Sequence, residues 1–118
     1  MMLRSLRRLL LSFPFSLDFV AHATNGTVVQ RRQEEFSGVG TDTRTDLSNK
    51  IFVALRGANF DAHKFLSEAV DKGAKLLVVD SIDEKQIGEL SQVSILKVTD
   101  TLGALQNLAS AWRKKFKA

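Results

Sequence analysis

Three stretches of strand length, residues 51–55, 75–80 and 93–98, carry the densest apolar character of the chain. The first of them, Ile51-Phe-Val-Ala-Leu55, has no polar alternation, which predicts a strand covered on both faces. Around these stretches apolar residues recur at helical spacing. Leu17, Val20 and Ala21 share one face of a helix over 16–26, with Ser16 as N-cap and Asn25-Gly26 as its stop. Phe65, Leu66, Ala69 and Val70 mark a helix over 62–72, opened by Asp61 and ended by Gly73. A long helix over 101–116, capped by Thr99 or Asp100, has Leu102, Leu105, Leu108, Ala109 and Trp112 as its expected inner face.

The remaining segments are shorter. Residues 27–30 read as a strand, 31–35 as a polar turn or hairpin connection, and 36–43 as a strand entering a loop with Gly38 and Gly40 inside it. A polar connection links the second and third apolar stretches. Strands alternating with helices predict an α/β fold, one domain of three layers with a mainly parallel sheet flanked by helices. There is no internal repeat and no low-complexity linker.

Composition changes this picture little. The chain has 118 residues, 44% of them hydrophobic and 25% charged, as expected for a single globular domain. It has no cysteine, which excludes disulfides, thiolate zinc sites and a cysteine nucleophile. The net charge of +4 comes from the ends: without Arg4, Arg7, Arg8, Arg113, Lys114, Lys115 and Lys117, ten basic residues face thirteen acidic ones. A body of net charge −3 argues against nucleic acid as a partner. Residues 1–15 imitate a targeting segment, but Pro14 and Asp18 interrupt an apolar run too short to span a bilayer. They are expected to be a flexible extension, with the domain occupying 16–118 and no membrane as partner.

Catalytic patterns are missing. No G-x-x-x-x-G-K-[ST] phosphate loop, G-x-G-x-x-G turn or nucleophile elbow occurs, and His22 and His63 lack metal-ligand spacing. Asp42, Asp46 and Asp61 are expected as turn and cap residues rather than metal ligands, so no catalytic or metal residue is assigned. What remains is a binding surface. Thr41 to Thr45 offers hydroxyls, backbone N–H groups and one guanidinium in a turn. Gly57-Ala-Asn-Phe60 leaves a buried strand just before a helix N-terminus, where α/β sheets hold anions. Arg44 suits a diphosphate or carboxylate, or else pairs with Asp42 or Asp46. Asn59 can read a uracil or ribose edge. Phe60 can stack on a base but is expected in the core, and His63 is expected to cap the loop, with a ligand contact as the alternative.

Thr41-Asp-Thr-Arg44, Ile51-Phe-Val-Ala-Leu-Arg-Gly57, Phe60-Asp-Ala-His-Lys-Phe65, Ala69-Val-Asp-Lys-Gly-Ala74 and Val98-Thr-Asp-Thr-Leu-Gly-Ala-Leu105 stand in the order and spacing of one family. From Ser16 onward the chain resembles the N-terminal domain of the Mur ligases, above all the branch that adds D-alanyl-D-alanine to a nucleotide-sugar tripeptide. The branch that adds the third peptide residue is the close alternative. The resemblance implies a cytoplasmic, three-domain enzyme of peptidoglycan synthesis, whose first domain holds the UDP end of its UDP-MurNAc-peptide substrate. A central domain would bind ATP and Mg2+ and form the amide bond. By the same resemblance Thr41, Thr43, Arg44, Ala58, Asn59 and Phe60, with His63 as a further candidate, fall where related ligases contact UDP. Ser48-Asn49-Lys50 replaces the usual Pro-Gly-Asp; Asn49 is expected to adopt the left-handed turn that glycine would supply. With no phosphate loop, these 118 residues are expected to bind UDP without turning over ATP. The alternative is an interaction module that meets a central ligase domain, or a second copy, through the last helix.

Overall fold

The computed structural model describes residues 15–116. The expected extension and targeting-like segment therefore lie outside the described residues, except for Phe15, which is buried. β1 (Phe15–Ser16) pairs with β3 (Glu35–Phe36) in a small antiparallel ribbon. The main sheet comprises β2 (Thr27–Gln30), β4 (Gly38–Gly40), β5 (Lys50–Val53), β6 (Leu76–Val79) and β7 (Ser94–Lys97). Their order is β2-β7-β6-β5-β4, with β4 to β7 mutually parallel and β2 antiparallel on the far edge. Among the described residues four α-helices flank the sheet: α1 (Leu17–Thr24), α2 (Leu66–Asp71), α3 (Glu84–Glu89) and α4 (Thr101–Phe116). No helix among the described residues is long and apolar enough to cross a membrane.

The period of two along each strand sorts the core into two layers. Ile51, Val53, Leu76, Val78 and Leu96 pack with Leu17 and Val20 of α1 and with Ala104 and Leu108 of α4. Phe52, Leu77, Val79 and Ile95 turn to the other face and pack with Leu66 and Ala69 of α2, Leu47 and Leu90. Both faces are covered, so the central strands read as unbroken apolar runs rather than alternating ones. The α/β fold with a mainly parallel, helix-flanked sheet stands as expected.

Local signals set the helix ends. Ser16 Oγ accepts from Phe19 N–H at 3.0 Å, and Asn25 stops α1 in the left-handed conformation at φ 56°. Asp100 Oδ2 accepts from Gly103 N–H at 3.0 Å, which settles the cap of α4 on Asp100 rather than Thr99. Four expectations need correction. The helix over 62–72 opens as a 3-10 turn, Ala62–Phe65, and becomes α-helical only at Leu66. The polar connection before β7 contains α3, which a reciprocal capping box between Asp83 and Gln86 starts. Residues 31–35 connect without forming a hairpin, because β2 pairs with β7. On α4 Leu105, Leu108 and Trp112 pack toward the core as expected and the small residues Thr101 and Ala104 join them, whereas Leu102 is 51% exposed and Ala109 is exposed.

At the amino edge of the sheet two loops lock together. Leu47 N–H donates to Lys72 O at 3.0 Å and Asn49 N–H to Gly73 O at 3.0 Å. Asn49 takes the left-handed conformation at φ 56°, as expected of it, and Gly73 sits at φ 103°. A Cβ on Gly73 would stand 2.7 Å from Ser48 Cα, so backbone, not a movable side chain, would have to yield. Gly88 in α3 is the opposite case, with nothing within 4 Å of a built Cβ. Urea unfolding should therefore show Gly73→Ala destabilised by about 1–3 kcal/mol and Gly88→Ala stabilised by about 0.5–1 kcal/mol. Equal effects of the two would contradict this reading of the turns.

Candidate functional site

The carboxyl ends of β4 and β5 open onto a groove of about 750 Å³. β4 runs out into the turn Thr41–Asp42–Thr43–Arg44, which lines it, and β5 runs out through Leu55 to Arg56 and Gly57. Phe52, Leu55 and Ala62 supply apolar lining, and Phe60, Phe65 and Glu68 come from the turn after β5 and the start of α2. A shallower recess of about 330 Å³ adjoins it, lined by Ala58, Asn59 and Lys64 and sharing Arg56, Gly57 and Phe60 with the groove. The two loops singled out by sequence thus meet in space. Thr41, Thr43, Arg44 and Phe60 share the groove, while Ala58 and Asn59 lie in the recess beside Phe60.

Each loop has its own local cause. Asp42 holds the first turn: its carboxylate accepts from Arg44 N–H at 2.8 Å, and its carbonyl accepts from Thr45 Oγ1 at 2.8 Å. The Arg44 side chain turns back on the same carboxylate, with Nε 3.0 Å from Oδ1 and Nη2 2.9 Å from Oδ2. These side-chain bonds, with the backbone bond behind them, hold the Asp42 carboxyl at about 2. Arg44 therefore pairs with Asp42, yet its side chain stays 88% exposed. Asp46 is similarly occupied by Ser48, whose N–H and Oγ donate to it at 3.0 and 2.5 Å.

The second loop is a four-residue turn. Arg56 and Asp61 pair across it, and Gly57 N–H donates to Phe60 O at 2.6 Å. The turn pushes Phe60 outward. Its side chain is 53% exposed and lies against Phe65, ring centroids 5.8 Å apart and planes 15° from parallel, so it is not the core residue the sequence suggested. An exposed aromatic face beside hydroxyls and a guanidinium suits a flat ring that carries an anion.

Behind the groove stands a network that sequence reasoning missed. Arg56 donates from Nε to Asp80 Oδ2 at 2.8 Å and from Nη2 to Asp80 Oδ1 at 2.7 Å, and it also contacts Asp61 Oδ2 and Ser81 Oγ. His63 closes the ring. Asp80 N–H donates to its Nε2 at 3.1 Å, so Nδ1 carries the proton and donates to Asp61 Oδ1 at 2.8 Å. His63 is buried and absent from the walls of the groove and recess, which fits capping rather than ligand contact. Asp61 accepts the His63 N–H at 2.9 Å as cap of the 3-10 turn, so that donor is already taken. The Arg56 fork draws the Asp80 carboxyl below its ordinary value. Burial pushes Asp61 up, but the bonds from the His63 backbone and ring outweigh it and leave Asp61 lowered too. The Arg-Gly ending of the apolar run was the available signal for Arg56; its partner Asp80, 24 residues on, was not predictable by spacing.

No family model matches the chain. It is 38% identical over 111 residues to a UDP-N-acetylmuramoyl-tripeptide--D-alanyl-D-alanine ligase from Treponema pallidum, covering 87% of this chain and 24% of that protein. A UDP-N-acetylmuramoyl-L-alanyl-D-glutamate--2,6-diaminopimelate ligase from Phocaeicola vulgatus is 30% identical over 89 residues, 75% of this chain and 18% of the relative. Among solved structures, MurF from Acinetobacter baumannii is similar with a TM-score of 0.75 and 29% identity, over 88% of this chain and 22% of that one. The chain spans about a fifth of the length of the curated relatives it matches.

The lowered carboxyls make the Arg56 network acid-sensitive in a definite direction. Asp80 and Asp61 bind protons more weakly folded than unfolded. Their contribution is complete above the ordinary carboxylate value of about 4 and is lost as pH falls through the lower folded values. Arg56→Gln removes the main cause of the Asp80 shift. Urea midpoints should place the variant below the parent at pH 7, with the gap narrowing as pH falls below about 4. A gap that stays constant over that window would contradict the network's role.

Proposed function

The chain belongs to the Mur ligase family, and from that premise we propose that the segment from Phe15 onward is the first domain of a peptidoglycan-precursor ligase. In this reading it holds the UDP end of a UDP-N-acetylmuramoyl-tripeptide while another segment performs the chemistry. The observation that carries the reading is the meeting of the Thr41–Arg44 turn and the Gly57–Phe60 turn in one groove at the carboxyl edge of a parallel sheet. Arg44 exchanges its bond to Asp42 for the diphosphate, Thr41 and Thr43 add hydroxyls, Phe60 carries the uracil ring, and Asn59 with the Ala58 backbone reads its edge. The 111-residue match at 38% identity to a D-alanyl-D-alanine ligase, with the likeness to MurF, supports that branch.

ATP and Mg2+, when bound, supply the activation of the peptide carboxylate in this scheme. The chain has no phosphate loop, and the His63 and Lys64 N–H donors at the start of the 3-10 turn are taken by Asp61, so no residue here is assigned to ATP. We assign this chain binding and orientation alone. A second reading, an interaction module, rests on an apolar recess of about 250 Å³ that Phe15, Val39, Leu108 and Trp112 line beside α4.

Titration of the 15N-labelled chain with UDP and with UDP-N-acetylmuramic acid should move the amides of Thr43 and Asn59, with millimolar affinity because one domain supplies only part of the contacts. Arg44→Gln should weaken UDP roughly three- to tenfold, with a smaller salt dependence. The chain alone should not hydrolyse ATP. Unmoved amides at millimolar ligand would favour the interaction module, and ATP turnover would contradict the division of labour.

A further inference from the structure

Two arginines border the groove, and their partners differ in kind. Arg44 is held by one neighbour two residues away, with its side chain 88% exposed. Arg56 is held by three residues from two other segments of chain. Four of its five N–H donors are engaged: Nε and one Nη2 hydrogen by Asp80, the second Nη2 hydrogen by Ser81, and one Nη1 hydrogen by Asp61. A bidentate phosphate contact from Arg56 would first have to break its paired bonds to Asp80, whose carboxylate lies at the end of β6 and is largely buried.

The bonds around Arg56 show what it does instead. Arg56 and Asp61 are the two ends of the turn that carries Ala58, Asn59 and Phe60. Gly57 N–H to Phe60 O closes the turn, and Ala62 N–H to Leu55 O at 2.8 Å anchors its base to the strand exit. Asp61 is joined in turn to His63, and His63 to the Asp80 backbone. Beyond the backbone bond from Ala54 N–H to Val78 O at 3.0 Å, side chains of the network join this turn to the end of β6.

We propose that Arg56 is a positioning residue for the nucleotide, fixing the Gly57–Phe60 turn against the end of β6 so that Phe60 and Asn59 meet the base in a preset arrangement, while the phosphates fall to Arg44. The proposal rests on the UDP reading given above. Preset geometry raises affinity by reducing what must be ordered on binding, so its loss weakens recognition of the base whether or not phosphates are attached.

Asp80→Asn tests this by sign, with uridine and UDP as paired probes in NMR titrations. The variant keeps Arg56 but weakens its hold. If Arg56 positions the turn, uridine and UDP both bind about three- to tenfold more weakly, their ratio is unchanged, and the Gly57 amide exchanges faster. If UDP instead binds more tightly, or uridine is unaffected while UDP changes, Arg56 is a phosphate ligand and the proposal fails. Unchanged affinity for both probes in a folded variant also overturns it, because the network is then structural only. Should Asp80→Asn not fold, Arg56→Lys, which keeps the charge and loses the fork, is expected to show the same parallel loss. A parent chain that binds neither probe defeats the UDP reading itself; the Gly57 exchange rate then still decides the clamp, and unaltered protection in the variant refutes it.

Discussion

The fork of Arg56 on the Asp80 carboxylate joins the carboxyl ends of two adjacent parallel strands, and the shape of the groove depends on it. β5 and β6 are already paired through their backbones as far as Ala54, whose N–H donates to Val78 O. Beyond those residues the chains diverge, one into a turn and the other toward α3, and backbone pairing no longer relates them. A guanidinium fits this task because its rigid fork can hold one carboxylate along two parallel bonds and still reach a second. Asp61 is that second acid, and it simultaneously caps the 3-10 turn and orients His63.

The division between a fixed and a free arginine follows from burial. Arg56 is 43% exposed and its partner Asp80 less than half as much, so their charges meet with part of the water excluded and repay a defined geometry. Arg44 and Asp42 meet in open solvent, where an ion pair contributes little and exchanges readily. One site thus combines a preset wall with an adaptable one, and the parallel sheet places both at the edge where α/β folds receive their ligands.

How much of this was legible in the sequence depended on the range of the interaction. The strands were readable because burial on both faces leaves no polar alternation, and Ser16, Asn25, Asn49, Asp61 and Gly73 announced their roles by local backbone chemistry alone. α3 escaped notice because it buries no residue fully, so it has little apolar stripe; only the Asp83–Gln86 box betrayed it. The inner face of α4 was legible at Leu105, Leu108 and Trp112 but not at its start, where the small residues Thr101 and Ala104, not Leu102, face the core. Phe60 was assigned to the core because aromatic residues usually are, and nothing local shows that a four-residue turn would push it out. The two loops that line the groove were picked out by residue type, whereas the Arg56 network was not, since Arg56, Asp80 and Ser81 come together only when the sheet forms.

Recognition of UDP in this groove requires a base lying against the exposed ring of Phe60. Intermolecular NOEs between UDP and the labelled chain test that directly. Cross-peaks from the uracil H5 and H6 protons to the Phe60 ring, with the ribose nearer Asn59, are the result the groove predicts. Bound UDP whose uracil protons contact some other surface, such as the apolar recess beside Trp112, would contradict it.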